Sequence, residues 1–268
     1  MSTTPDPASM RPPAVAGMFY PADATSLRKT VTALLAATRP QDRCPKALIV
    51  PHAGYVYSGA VAASAYGLLR AHGEGISRVV LLGPVHRIAP TGLAAPTATV
   101  FQTPLGAVNI DQRAIQAIRR LPSVVGSDAA HQWEHCLEVQ LPFIQVLLPQ
   151  AQIVPLVLGA VGADAVAGVM EQLWGGAETL LIVSSDLSHY HRYGQAQRMD
   201  RATSKRILKL AGPLSGDEAC GCGAINGLLR VARRRGLHAE LLDLRNSGDT
   251  SGDKASVVGY GAFAFYEP

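Results

Sequence analysis

The chain has 268 residues, 48% of them apolar and 16% charged, with a net charge of +4. A sequence of this length and hydrophobicity buries roughly 75% of its unfolded surface, which excludes intrinsic disorder and a disulfide-stapled mini-domain. The 26 glycines and 18 prolines show no triplet period, which excludes collagen. Taken in chain order, short β-branched apolar runs predict strands at 47–50, 78–82, 153–158, 180–184, 241–244 and 257–265. Segments of helical spacing lie between or beside them at 60–70, 112–120, 137–147, 163–174, 199–210 and 224–234. The stretch 92–109, with Pro96 and Pro104, reads as extra strands or a hairpin.

Strand runs without polar alternation suit a sheet covered on both faces, and their alternation with helices predicts βαβ units. The expected fold is therefore α/β, a single αβα-type domain with a mostly parallel or mixed central sheet. Residues 1–13 are expected to form a flexible N-terminal arm; they are polar and proline-rich and do not read as a secretory signal. No segment offers the ~20 predominantly apolar residues of a membrane-crossing helix. The nearest, 153–170, is interrupted by Pro155, Gly159, Gly162, Asp164 and Gly168. Four cysteines without a signal point to reduced thiols and a cytoplasmic location. Basic residues cluster at Lys205, Arg206 and Lys209, and at Arg230, Arg233, Arg234 and Arg235. They read as solvated helix faces or as a docking patch for an acidic partner; a net charge this mild does not argue for nucleic acid.

The functional signal lies just beyond the strand ends. The run 47–50 leads into Pro51-His52-Ala53-Gly54-Tyr55, the run 78–82 into Gly83-Pro84-Val85-His86, and the run 180–184 into Ser185-Asp186-Leu187-Ser188-His189. Three predicted strands deliver histidine past their C-terminal ends, the rim where open α/β sheets bind ligands. Neutral imidazole is both a common metal ligand and an acid–base catalyst, so the set points to a mononuclear metal site or a proton-transfer site.

Two further segments add donors. Cys220 precedes a predicted helix, whose dipole would favour its thiolate; Cys222 reads as a small buried helix residue. Cys44 and Cys136 lie too far apart in the sequence to complete a four-cysteine zinc site. The segment His131-Gln132-Trp133-Glu134-His135-Cys136-Leu137-Glu138 lacks the order and spacing of a zinc-protease motif. It places His135 and Glu138 one turn apart at a helix start, either both facing a pocket or as a capping acid with a packed histidine. Phosphate loops, dinucleotide fingerprints and the nucleophile elbow are absent, which disfavours nucleotide-binding and α/β-hydrolase readings.

In this order, Pro51-His52-Ala53-Gly54-Tyr55, Leu82-Gly83-Pro84-Val85-His86, the 134–142 segment, Ser184-Ser185-Asp186-Leu187-Ser188-His189-Tyr190 and Cys220-Gly221 resemble the Memo family. The chain is similar to its prokaryotic members, called AmmeMemoRadiSam system protein B, over nearly its whole length. That family is similar in fold to the class III extradiol ring-cleavage dioxygenases, whose iron(II) sits on two histidines and a carboxylate. The resemblance implies a metal site of His52, His86 and Cys220, with Asp186 and His189 lining it. His189 would act as acid–base, and Asp186 would orient it or bind a water. His135 joins them as a catalytic candidate if its segment faces the pocket. Iron is the implied metal, with copper as an alternative and zinc behind both, because a thiolate in the carboxylate position shifts metal preference. A radical SAM protein and an AMMECR-type protein are the implied partners, and a small molecule or peptide the implied substrate. Oxygen-dependent or redox chemistry, a binding module without chemistry, and a metal-protecting protein are the resulting functional readings.

Overall fold

The computed structural model describes residues 9–38, 42–250 and 252–268. In chain order the elements begin with β1 (Met10–Arg11), α1 (Ala24–Ala36), β2 (Ala47–Val50), α2 (Tyr55–Tyr66), β3 (Arg78–Pro84), β4 (Leu93–Ala95), β5 (Val100–Thr103) and β6 (Gly106–Asn109). Next come α3 (Gln112–Ile118), β7 (Val124–Gly126), α4 (Asp128–Gln132), α5 (Leu141–Leu147), β8 (Gln152–Leu158), α6 (Ala163–Gln172) and β9 (Thr179–Ser184). The chain closes with β10 (His189–His191), α7 (Tyr193–Leu208), α8 (Cys222–Arg235), β11 (His238–Asn246), α9 (Ser247–Thr250) and β12 (Val257–Tyr266).

The central sheet is mixed, in the order β10-β12-β2-β9-β3-β8-β4-β7, with β11 also paired to β12. Its middle, β2-β9-β3-β8, is wholly parallel. Strands β12 and β4 flank that middle in the antiparallel sense. Every residue of β2 and β9 is buried, which is why those runs carry no polar alternation. Helices α1, α2 and α5 pack on one another, with α2 also against β2 and β12; α8 packs against α6, β3 and β9. The registers align the strand exits: Val50 pairs with Ser184 and Leu82 with Val183. His52, His86 and Asp186 therefore leave the same end of three neighbouring strands.

The predicted strands recur within a residue or two of their expected ends, except 241–244, which extends to His238–Asn246. The stretch 92–109 contains β4 and the β5–β6 hairpin, as its prolines suggest. The expected helix 60–70 is α2 starting at Tyr55 and tightening into a 3₁₀ turn over Gly67–Ala71. The expected helix 137–147 divides into a 3₁₀ turn, Glu138–Gln140, and α5. Helix α1 has no counterpart in the sequence reading. Asp23 caps it by accepting from the Ser26 N–H, and Leu27, Val31 and Leu35 form its buried stripe.

The flexible arm expected at 1–13 is corrected at its distal end. Residues 1–8 lie outside the described residues, but Met10 and Arg11 pair in parallel with Val100 and Phe101. Arg11 is buried because Glu138, also buried, neutralises it. Of the basic clusters, Arg230 and Arg234 pair with Asp164 and Glu171 of α6, Arg235 lies over Trp174, and Arg206 pairs with Glu218. Among the described residues no helix is long and apolar enough to cross a membrane.

Candidate metal centre

Each ligand candidate is placed by a strand exit and then oriented by a hydrogen bond behind it. The His52 N–H donates to Asp186 Oδ1 at 2.8 Å, tying the exit of β2 to that of β9. Ser184, the last residue of β9, stands behind the His52 ring. Its hydroxyl donates to the Cys136 carbonyl at 2.7 Å and accepts from Gln140 Nε2 at 2.9 Å. Having spent its only proton, Ser184 Oγ can only accept from His52 Nδ1, 3.0 Å away. The lone pair of His52 is thus on Nε2. Burial, with His86 nearby, pushes His52 down to about 3, so the ring is neutral at physiological pH.

His86 is held in the same way by a different group. Its N–H donates to Glu134 Oε2 at 2.6 Å, and its Nδ1 lies 2.8 Å from Glu134 Oε1. Burial alone would raise the Glu134 carboxyl, but hydrogen bonds and charge from His86, with the Cys136 N–H, outweigh it and hold the group at about 2. An ionised carboxylate only accepts, so His86 Nδ1 is the donor, an arrangement that directs Nε2 of the neutral ring towards the site.

Cys220 comes from the loop that leads into α8. Its N–H donates to the Asp186 carbonyl at 3.3 Å, and its Sγ lies 3.3 Å from His52 Nε2. Gly221 lets this loop close on β9: a Cβ there would sit 2.6 Å from Ser185 Cβ and 2.8 Å from the Ser184 carbonyl oxygen. The expectation of a helix-favoured thiolate is corrected. Helix α8 begins two residues later, and burial, with the Asp186 carboxylate, pushes the Cys220 thiol up to about 12.

Donor atoms of His52, His86 and Cys220 all lie within 4.8 Å of one another. A four-coordinate ion with bonds of about 2.0 Å to nitrogen and 2.3 Å to sulfur needs ligand atoms roughly 3.3–3.8 Å apart. The His52–Cys220 separation already meets that spacing, and two imidazoles with a thiol make a donor set suited to Fe, Cu or Zn. The residues fit a metal. A second group, His86, Glu134 and Cys136, is also compact. There Cys136 Sγ donates to the Pro84 carbonyl and Glu134 holds His86 Nδ1, which leaves those groups engaged.

The site opens into a cavity of about 1060 Å³ lined by all six residues singled out in the sequence: His52, His86, Cys220, His135, Asp186 and His189. The His135 ring centroid is 4.5 Å from that of His86 and 5.4 Å from that of His52. Burial, then His52, pushes His135 down to about 4. Asp186 is raised by burial; its Oδ2 is 3.9 Å from His52 Nε2. Its carboxylate accepts from the His52 N–H, and among the described residues no hydrogen bond joins it to His189. Tyr190, beside His189, has φ +61° and projects from the cavity mouth, 79% exposed.

Two readings of the 131–138 segment are also settled. His135 faces the cavity, but Glu138 does not: it is fully buried behind it, accepting from Arg11, the Ala14 and Val15 N–H groups and Tyr20 Oη. Cys222 begins α8 and packs against the core outside the cavity lining. Sequence reasoning missed Glu134, Ser184 and Gln140 as supporting groups, and Phe19, whose ring lies 4.7 Å from that of His135. Glu134, Gln140 and Ser184 lie within segments that carry the family resemblance, a signal that could have found them.

An α/β protein with a two-histidine, one-cysteine constellation at the rim of its sheet is a candidate metalloprotein by architecture. Comparison with known proteins makes the class specific: the model of the Memo family, "Memo-like protein", matches residues 11–264, and the chain belongs to that family. A MEMO1 family protein of Sulfolobus acidocaldarius is 36% identical over 281 residues, covering 94% of this chain and 97% of that protein. Those of Methanopyrus kandleri (36%, covering 95% and 98%) and Aquifex aeolicus (34%, covering 94% and 97%) are similar along their lengths. A solved structure, an uncharacterized protein JW3007 from Escherichia coli K12, aligns with TM-score 0.47 and 12% identity over 82% of this chain and 100% of that one.

Proposed function

We propose that this protein is a metal-dependent oxidoreductase whose iron(II) is held by His52 Nε2, His86 Nε2 and Cys220 Sγ. The observation that carries the reading is the convergence of these three donors at the strand exits, with both imidazole Nδ1 atoms tied back and a cavity open beside them. A structural zinc site closes its coordination sphere, whereas a set of three protein donors facing a cavity leaves positions for substrate. When bound, the metal supplies those positions and a redox couple; copper is the competing occupant and zinc comes after it. The chain's own residues supply the rest. His135 and His189 line the cavity as candidate proton carriers, and Asp186 holds the His52 backbone in place. The substrate is a small molecule or a peptide-borne group. The proposal sets it in the cytoplasm, with a radical SAM protein and an AMMECR-type protein as its partners.

A second reading is a binding module that keeps the fold without the chemistry. It is favoured by the exposed apolar side chains Met18, Val56, Tyr57, Ile88, Trp133 and Tyr190, each a cavity-lining residue or within two positions of one. Such a rim suits a polypeptide partner. The third reading, a metal-protecting protein, shares the ligands but turns over no substrate.

Elemental analysis of protein purified without oxygen or chelator tests the proposal, alongside His52→Ala and Cys220→Ser. About one iron or copper per chain, lost in both variants, is the expected result. Metal retained at full stoichiometry in either variant refutes the ligand assignment. Metal-free wild type after anaerobic reconstitution favours the binding module.

A further inference from the structure

Glu134 is almost fully buried on the turn between α4 and the 3₁₀ segment, and one of its oxygens serves more than His86. Oε1 accepts from His86 Nδ1 at 2.8 Å, from the His135 N–H at 2.9 Å and from the Cys136 N–H at 3.1 Å. The same oxygen lies 3.3 Å from His135 Nδ1. A bare ring nitrogen at that distance would set its lone pair against a carboxylate oxygen, whereas an N–H there is attracted to it. The Phe19 ring packs against the imidazole, with ring centroids 4.7 Å apart.

We infer that Glu134 is a positioning residue shared by two histidines: it holds the proton of both His86 and His135 on Nδ1, leaving one Nε2 to ligate and the other to accept a proton in the cavity. Ser184 does the same for His52 alone, so three rings are set in one tautomer by two groups. Oriented partners of this kind fix ligand tautomer and ring direction in metal sites generally. The assignment of His135 goes further, because it makes the acid–base group and a metal ligand depend on one carboxylate. The inference deepens the proposed function, and rests on it only for the metal arm of its test.

The decisive measurement is long-range proton–nitrogen correlation NMR on metal-free protein carrying nitrogen-15 histidine, at neutral pH. The expected pattern in the wild type is Nδ1–H at both His86 and His135. Glu134→Leu removes the shared oxygen that faces both rings, so both rings should populate Nε2–H. Cobalt(II) binding, tracked by its visible spectrum, should weaken by about 10- to 100-fold in that variant with altered band positions. A merely structural role would leave tautomers and spectrum unchanged. Nε2–H at His135 in the wild type overturns the inference; so do unchanged tautomers and cobalt affinity in Glu134→Leu. If that variant does not fold, the wild-type tautomers decide alone. Nδ1–H at both rings in a wild type that binds no cobalt would uphold Glu134 and sink the metal reading instead.

Discussion

Replacing Arg11 by methionine tests the idea that a buried ion pair staples the N-terminal segment to the turn that carries the site. In the native protein its guanidinium donates to Glu138 Oε2, to the His131 carbonyl at 2.9 Å and to the Glu134 carbonyl at 2.6 Å. Methionine fills most of the volume but supplies no donor. Glu138 would keep the Ala14 and Val15 N–H groups and Tyr20 Oη, yet lose the counter-charge that Arg11 supplies in a fully buried position. Breaking one side of a buried pair costs about 3–5 kcal/mol, and two carbonyls left without a donor belong to the same loss. A destabilisation of about 4 kcal/mol lowers the melting temperature by about 10 °C for a chain of this size. Urea denaturation at neutral pH, monitored by both circular dichroism and tryptophan fluorescence, measures it. Arg11→Met combined with Glu138→Gln should recover part of the loss, because the uncompensated charge disappears. A single variant within about 1 kcal/mol of wild type, or a double variant whose loss is the sum of the two singles, would refute the reasoning.

The geometry carries three other expected outcomes. Metal binding should release one proton, from the Cys220 thiol pushed up to about 12, since His52, pushed down to about 3, has none to lose; the logarithm of the apparent affinity then rises by about one per pH unit from about pH 7 to pH 9, and a flat profile contradicts this. His131 is held by burial at about 4, against 6.5 in the unfolded chain, while its Nε2 bonds the Ala94 carbonyl. Because the unfolded state binds the extra proton, stability is complete above pH 6.5 and declines as pH falls towards 4, by about 3 kcal/mol from this group. His131→Gln should flatten the urea midpoint across that window by about one proton; an unchanged slope assigns the acid sensitivity elsewhere. Gly221→Ala should push the Cys220 loop off β9, costing about 1–3 kcal/mol in stability and weakening cobalt(II) binding; an unaltered cobalt spectrum would show that the loop yields without moving the thiol.

The middle of the sheet was legible because burial on both faces removes polar alternation from β2, β3, β8 and β9 and leaves unbroken apolar runs. Those runs end where the chain turns sharply, so the histidines just beyond them stood out without any knowledge of their neighbours. Short strands such as β4 and β7, with three residues each, are too brief to show a period. Glu138 was misread for a different reason: its position beside His135 suggests a shared face, but its partner Arg11 lies 127 residues upstream, and nothing local announces that pairing. Glu134 and Ser184 were hidden for the same reason, since a supporting hydrogen bond joins segments that only the fold brings together. Helix α1, by contrast, had both a capping aspartate and an apolar stripe in the sequence, and was readable from them.

The spacing of the donors along the chain sets the order of assembly. His52 and Cys220 are separated by 168 positions; His52 and His86 leave different strands, and Cys220 lies on the loop before α8. An unfolded chain therefore offers no local pair of these ligands to chelate an ion, unlike zinc fingers, whose closely spaced ligands make the metal a condition of folding. Here the sheet must first bring its strand exits together, and the hydrogen bonds from Ser184 and Glu134 hold both imidazoles ready without the ion. Under the proposed ligand assignment, metal acquisition is the last step of maturation, made by a finished protein, and a chelator should strip the site while leaving the fold standing.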